Sequence, residues 1–238
     1  MGLVKTIKFK NPTYLGDPIN AVKIFNDKEV DELLFLDITA TIEHRRPPIE
    51  FITKIAEECF MPLGYGGGIR QTEDIKQILS LGVEKVSINS YAVENPAFIN
   101  AAADLVGSQS IVVSIDVKKD LLGRYKVFTH RGRKNTGLDP IEFAVEMEKR
   151  GAGEIFLNSI DRDGSMQGYD LELIKKVSEA VRVPVVACGG AANINDLSQA
   201  VKQGGASAAA AGSLFVFQGR RRAVLISYPT PTELENAF

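Results

Sequence analysis

The chain has 238 residues, 45% hydrophobic and 24% charged, with Gly 21, Pro 10, Cys 2 and no Trp. This is the composition of a globular protein and excludes a disordered or fibrous chain. Lys and Arg number 28 against 30 Asp and Glu, giving a net charge of -2 and a pI near 5.8; nucleic acid and membranes are not expected as partners, and any anionic ligand must be held locally.

The N-terminus, Met1 to Lys10, alternates apolar and basic residues, unlike the unbroken apolar core of a signal peptide. Gly2 followed by Thr6 matches the myristoylation pattern only by chance. Downstream, short apolar runs stand at Leu33 to Ile38, Met61 to Tyr65, Lys85 to Ile88, Ile111 to Asp116, Glu154 to Asn158, Pro184 to Cys188 and Ala206 to Ala211. Segments of helical period separate them, such as Thr72 to Leu81 with Ile75, Ile78 and Leu79 on one face, and Leu171 to Val181 with Ile174, Val177 and Val181. Strand and helix alternating at roughly 25 to 30 residues predict a parallel α/β sheet covered on both faces. The apolar stretch Ala206 to Phe217, broken by Ser207, Gly212 and Ser213, is too short to span a bilayer and is expected to be a buried strand with its exit turn. Cys59 and Cys188 are too few for a disulfide framework or a zinc site and are read as reduced, buried thiols of a cytoplasmic protein. No metal or cofactor is expected.

A repeat separates a barrel from an open doubly wound sheet. Asp17-Pro18-Ile19 returns as Asp139-Pro140-Ile141, 122 residues later (139 minus 17). The same offset carries Glu32 to Glu154, Pro62 to Pro184, Gly67-Gly68 to Gly189-Gly190, and Asp74, Gln77 and Gly82 to Asp196, Gln199 and Gly204. Two four-unit halves, about 1–110 and 111–238, closing on each other predict a single (βα)8 TIM barrel over residues 1–238. The strand opening the second half, Ile111 to Asp116, has its repeat mate upstream of Met1, so the first barrel strand is expected to be missing, through a misassigned start codon, a truncation or divergence. Val4 to Phe9 does not replace it, because its mate, Lys126 to Arg131, follows the fifth strand, where a loop or short hairpin belongs.

Catalytic groups of such barrels sit at the C-terminal ends of the strands. Asp37, Asp116, Asp161 and Asp163 stand there; a lone Asp at such a place is usually a cap or turn former, but four facing one mouth can hold a proton-transferring pair. Gly66-Gly67-Gly68 and Gly189-Gly190 follow strands and precede helices, as phosphate-cradling loops do, although one such loop equally suits a tight turn. Because each loop is followed by a polar strand end, Asn89-Ser90 and Gly212-Ser213, two phosphate sites across the mouth are expected, and with them a ligand phosphorylated at both ends. Glu32, Lys85 and Glu154 lie at the opposite, N-terminal face, where an ionic ring plugging the barrel is the plain expectation.

Together, Phe35-Leu-Asp-Ile-Thr-Ala40, Gly66-Gly-Gly-Ile-Arg70, Lys85-Val-Ser-Ile-Asn89, Ala92-Val-Glu-Asn-Pro96, Gly107-Ser-Gln109, Gly151-Ala-Gly-Glu-Ile155, Asp161-Arg-Asp-Gly164 and Gly168-Tyr-Asp170 resemble the cyclase (HisF-type) subunit of imidazole glycerol phosphate synthase, to about Phe217. The resemblance implies a heterodimer with a glutaminase docked on the N-terminal face. Ammonia would pass through the barrel to a bisphosphorylated formimino carboxamide ribonucleotide, which is cyclised and cleaved to imidazole glycerol phosphate and an aminoimidazole carboxamide ribonucleotide in histidine biosynthesis. It further implies Asp116 as general acid/base, Lys5 as the lysine of a mobile first loop, and Asp163 as an auxiliary acid. Gly68, Asn89 and Ser90 would hold one phosphate, and Gly164, Gly189, Gly190 and Ser213 the other, with Glu32, Lys85 and Glu154 as three residues of the ammonia gate.

Departures from that pattern are the second catalytic aspartate and the gate arginine, both on the first strand, together with Tyr65, Asn158, Gly212 and the tail from Gln218 to Phe238, including Arg220-Arg-Arg222 and Pro229-Thr-Pro231. They resemble a paralogous branch associated with surface polysaccharide, in which the barrel delivers ammonia for acetamidino sugars. A barrel that only binds and activates the glutaminase is the third reading.

Overall fold

A computed structural model describes residues 2–219 and 221–238; Met1 and Arg220 of the tail motif lie outside the described residues. The elements in chain order are β1 Leu3–Ile7, β2 Lys10–Gly16, α1 Pro18–Asp27, β3 Leu33–Leu36, α2 Ile49–Glu58, β4 Leu63–Gly66, α3 Thr72–Ser80, β5 Lys85–Ile88, α4 Ser90–Glu94 and α5 Ala97–Val106. The second half contributes β6 Ile111–Lys119, β7 Tyr125–Thr129, β8 Lys134–Asn135, α6 Pro140–Lys149, β9 Glu154–Ser159, α7 Leu171–Ala180, β10 Val185–Cys188, α8 Ile194–Lys202, β11 Ala208–Ala210, α9 Ser213–Val216, β12 Phe217–Gln218, β13 Ala223–Val224 and α10 Pro231–Ala237. All seven predicted strands form, each within a few residues of the run that announced it.

Those seven strands are parallel, in the order β3-β4-β5-β6-β9-β10-β11. The fold is α/β, a curled sheet of the (βα)8-barrel type, and among the described residues no strand pairs the free edges of β3 and β11. Two consequences follow for the sequence reading. Val4 to Phe9 belongs to a hairpin, β1 against β2, outside the main sheet. The strand around Ala208 is not wholly buried as expected: Ala208 is exposed and Ala209 and Ala210 are only partly covered, because β11 ends the sheet. Cys59 and Cys188 are free and half-buried rather than buried.

The repeat is visible in local chemistry. Asp17 and Asp139 adopt φ/ψ of -77/130 and -78/130, and each side chain accepts from two backbone amides at the start of its helix, with Pro next in line. A capping carboxylate plus a proline whose missing N–H costs nothing there fixes where α1 and α6 begin. The segment after Gly16 and the segment after β8 therefore enter their helices alike.

The core lies between the outward faces of the strands and the helices. Ile75 and Ile78 of α3, Val177 of α7 and Met147 of α6 are fully buried against strand residues such as Val86, Val113, Ile115 and Ile155. Each large aliphatic side chain so covered contributes about 2 kcal/mol of transfer free energy. The inward faces differ: β4 presents Gly64 and Gly66, where a Cβ would come within 2.8 Å of Leu34 Cδ1 and 2.7 Å of Leu36 Cδ2. Leu34 and Leu36 take up the room those glycines leave.

Candidate functional site

Strand register brings Asp116, Asn158 and Cys188 into one row at the C-terminal ends of β6, β9 and β10. Asn89, just past β5, joins them by donating Nδ2 to Asp116 Oδ2 at 3.1 Å and to the Ser114 carbonyl at 2.9 Å. Asn158 Nδ2 donates to Asp116 Oδ1 at 3.2 Å. Burial, opposed by these two amide donors and reinforced by the charge of Asp163, pushes the Asp116 pKa up to about 7. A carboxyl group poised there can both take and give a proton at neutral pH.

Asp163 lies in the β9–α7 loop, 4% exposed, and accepts from Lys5 Nζ at 2.6 Å. Its other carboxylate oxygen is buried without a partner. The β1–β2 hairpin is thereby drawn onto this loop, with Lys8 N donating to the Asp163 carbonyl at 2.9 Å. Gly164 is a glycine for a plain reason: its φ is +69, and a Cβ would collide with the Thr6 carbonyl of the hairpin. Lys5, expected on a first loop, thus stands on a strand and is tethered.

The four acids do not act alike. Asp37 accepts from the backbone N–H groups of Thr39 and Ala40 and pairs with Arg45 at 3.2 Å, so it shapes its own loop. Asp161 accepts from the backbone of Lys119 at 2.9 Å. The turn-forming reading describes Asp37, whereas Asp161 ties its loop to the end of β6.

The glycine loops are tight because neighbouring backbone lies against them. A Cβ on Gly68 would meet the Arg45 carbonyl at 2.5 Å, one on Gly189 would meet Asn158 Oδ1 at 2.7 Å, and one on Gly190 would strike the Gly168 carbonyl. All three have positive φ. Beside the first loop, Ser90 donates to Asn89 Oδ1 at 3.1 Å and accepts from His130 N at 3.1 Å, while Arg70 meets Glu94 of α4 at 3.4 Å. Beside the second loop, Ser213 opens α9, a single turn of four residues. One residue here was not singled out by sequence reasoning: Arg222, which donates from Nη1 to the Gly164 carbonyl at 2.7 Å and from Nη2 to Ser213 Oγ at 3.3 Å. The basic tail motif was its only signal.

At the other end of the strands Lys85 Nζ sits 2.9 Å from both Glu32 Oε2 and Glu154 Oε2. The two carboxylates outweigh desolvation and hold the Lys85 pKa above its ordinary value. Ser87 Oγ and Ser114 Oγ, 2.5 Å apart and buried, lie between this cluster and Asp116. Among the described residues no group of three or more His, Cys, Asp or Glu side chains could hold a metal ion, and no helix is long and apolar enough to cross a membrane.

An α/β barrel with glycine-rich turns and a poised carboxyl at its C-terminal mouth defines the class. The profile described as "Histidine biosynthesis protein" matches residues 2–221. The chain is 53% identical over 234 residues to the putative imidazole glycerol phosphate synthase subunit hisF2 of Pseudomonas aeruginosa, covering 98% of this chain and 93% of that protein. It is 51% identical over 238 residues to the putative imidazole glycerol phosphate synthase subunit HisF of Leptospira interrogans, covering 100% and 94%. It is 46% identical over 213 residues to the imidazole glycerol phosphate synthase subunit HisF of Alkaliphilus metalliredigens, covering 90% and 84%. The chain belongs to the histidine-biosynthesis protein family, among its HisF-type subunits.

Proposed function

We propose that this chain is an ammonia-using cyclase-type subunit. It receives ammonia from a glutaminase partner at the N-terminal face and delivers it to a bisphosphorylated formimino carboxamide ribonucleotide at the C-terminal mouth, yielding imidazole glycerol phosphate and the aminoimidazole carboxamide ribonucleotide. The observation that carries the reading is the polar line of Lys85, Ser87, Ser114, Asn89 and Asp116 from one end of the sheet to the other. Lys85 with Glu32 and Glu154 forms the gate at the entrance, and Asp116 is the acid/base at the exit. Lys5 and Asp163 assist it, Gly68, Asn89 and Ser90 hold one phosphate, and Gly164, Gly189, Gly190 and Ser213 hold the other. The relatives named as subunits of imidazole glycerol phosphate synthase support the same reading, including its dependence on a second subunit.

The chemistry needs a group that removes a proton from attacking nitrogen and returns one during ring closure and cleavage. Asp116, titrating near 7, suits both halves of that task. The test supplies the substrate with ammonium salt, and separately with glutamine and a glutaminase subunit. Product formation that Asp116→Asn abolishes is expected; product formation indifferent to this change overturns the role of Asp116.

One observation favours a second reading, in which the barrel conducts ammonia to another acceptor such as a sugar precursor of surface polysaccharide. Among the described residues, the carboxylate whose charge acts on Asp116 is Asp163, and it is engaged by Lys5. Amidination of such an acceptor that survives Asp116→Asn, with no cyclised product from the wild-type chain, selects this reading.

A further inference from the structure

We propose that Arg222 is the principal anion-binding side chain of the second phosphate site. The terminal phosphate of the ligand would be gripped there by a guanidinium as well as by loop amides. The proposal rests on the reading of Gly164, Gly190 and Ser213 as a phosphate site and adds the residue that supplies its charge.

The position of Arg222 is built. After α9 the chain turns back as the β12–β13 hairpin, pairing Phe217 with Val224 and Gln218 with Ala223. Arg222 N donates to the Gly219 carbonyl at 3.0 Å to close the turn, and Leu225 N donates to the Val216 carbonyl at 3.0 Å to hold the hairpin on α9. Arg222 itself takes a φ of +52, an uncommon conformation for a residue with a side chain. Its guanidinium stacks over the Phe217 ring, 4.4 Å from the centroid, and is directed at Gly164 and Ser213.

Its charge has no internal counterpart. Both hydrogen-bond acceptors are neutral, and among the described residues no carboxylate lies within 4.0 Å of it. Lys5, a second cation on this side of the mouth, is paired with Asp163 at 2.6 Å, and Arg162, beside Gly190, donates to the Gln167 carbonyl at 3.0 Å. Lys5 nevertheless runs alongside, its Cε only 3.0 Å from where a Cβ on Gly212 would be. The absence of a side chain at Gly212 lets it pass. A half-buried arginine spending two donors on neutral oxygens keeps further N–H groups for a ligand, and its planar fork matches a phosphate monoester. Ser213 Oγ accepts from Arg222, so its own hydroxyl proton is free to donate to a ligand oxygen. The class of ligand is a small molecule ending in a phosphate monoester.

Inorganic phosphate serves as the probe, by calorimetric titration of the full chain and its variants. Two phosphates are expected on the wild-type chain. Arg222→Gln should weaken one of them by about ten- to a hundredfold, as loss of a charge-assisted contact does. Arg222→Lys should fall between, and Ser90→Ala should weaken only the other. Equal affinities in wild type and Arg222→Gln overturn the proposal while leaving the two-site reading in place; no phosphate bound by the wild-type chain overturns both. A measurement independent of variant folding is phenylglyoxal labelling of the wild-type chain, read by mass spectrometry. Phosphate is expected to protect Arg222 and not the exposed neighbour Arg221; equal labelling of Arg222 with and without phosphate counts against it.

Discussion

The Asn158 side chain donates to Asp116 Oδ1 at 3.2 Å and leaves its own carbonyl oxygen buried without a partner. The amide is thus oriented for a charged carboxylate, whereas burial and Asp163 favour the neutral acid. Removing that donor with Asn158→Ala should move the Asp116 pKa further above 7, by up to about one unit, since one hydrogen bond to the charged form is lost. Carbon-13 NMR titration of the aspartate carboxyl resonances reads the shift, and an unchanged or lowered midpoint contradicts the assignment.

The same balance sets a stability profile. A carboxyl raised from 3.8 to about 7 by folding binds more protons in the folded than in the unfolded state between those values. Stability attributable to it is therefore present at low pH, declines as pH rises from about 4 to 7, and is flat above. Asp116→Asn removes that slope, and the free Asn158 oxygen can rotate to accept from the new amide. After allowance for its partial exposure, the variant should gain about 1–3 kcal/mol over wild type between pH 4 and pH 8. Urea unfolding at the two pH values measures it; a constant difference speaks against a raised Asp116 pKa.

Lys85 holds two carboxylates that otherwise face each other. Lys85→Met should leave ammonium-driven product formation within a few-fold of wild type and depress glutamine-driven formation by at least tenfold, a split that places the residue at ammonia entry. Parallel loss in both assays would place it in general folding instead.

Glycine positions that both have positive φ but differ in their surroundings should separate. Gly190→Ala must resolve both a left-handed backbone and a collision with the Gly168 carbonyl, at about 2–5 kcal/mol. Gly137→Ala meets open space and should cost about 1 kcal/mol, from backbone conformation alone. Thermal unfolding of the two variants decides whether the second loop is held by packing.

What the sequence made legible follows from where each signal resides. Parallel strands covered on both sides are written as apolar runs, and helix starts as Asp-Pro at positions 17–18 and 139–140, so order, class and repeat could be read residue by residue. Lys85, Glu32 and Glu154 could be placed at one end because strand polarity fixes which end a residue occupies. The β1–β2 hairpin was less legible, because Lys10–Gly16 is mostly exposed and carries Pro12, giving no periodic pattern. Asp37 and Asp161 looked like Asp116 because their difference lies in partners, Arg45 and the Lys119 amide, which the chain brings near only on folding. Arg222 was hidden for the same reason: its contact with Gly164 spans 58 residues and depends on a turn closed at Gly219.

The tether between Lys5 and Asp163 has a consequence in protons. The charge of Asp163 helps raise the Asp116 pKa, and Lys5 is the cation paired with Asp163. A ligand phosphate that draws Lys5 away uncovers the Asp163 charge and favours proton uptake at Asp116; return of Lys5 favours release. By reciprocity, acid should loosen the hairpin's hold and alkali should tighten it. Displacement of β1 and β2 is therefore countable as hydrogen ions exchanged with the buffer, and calorimetry repeated in buffers of different ionisation enthalpy would register it.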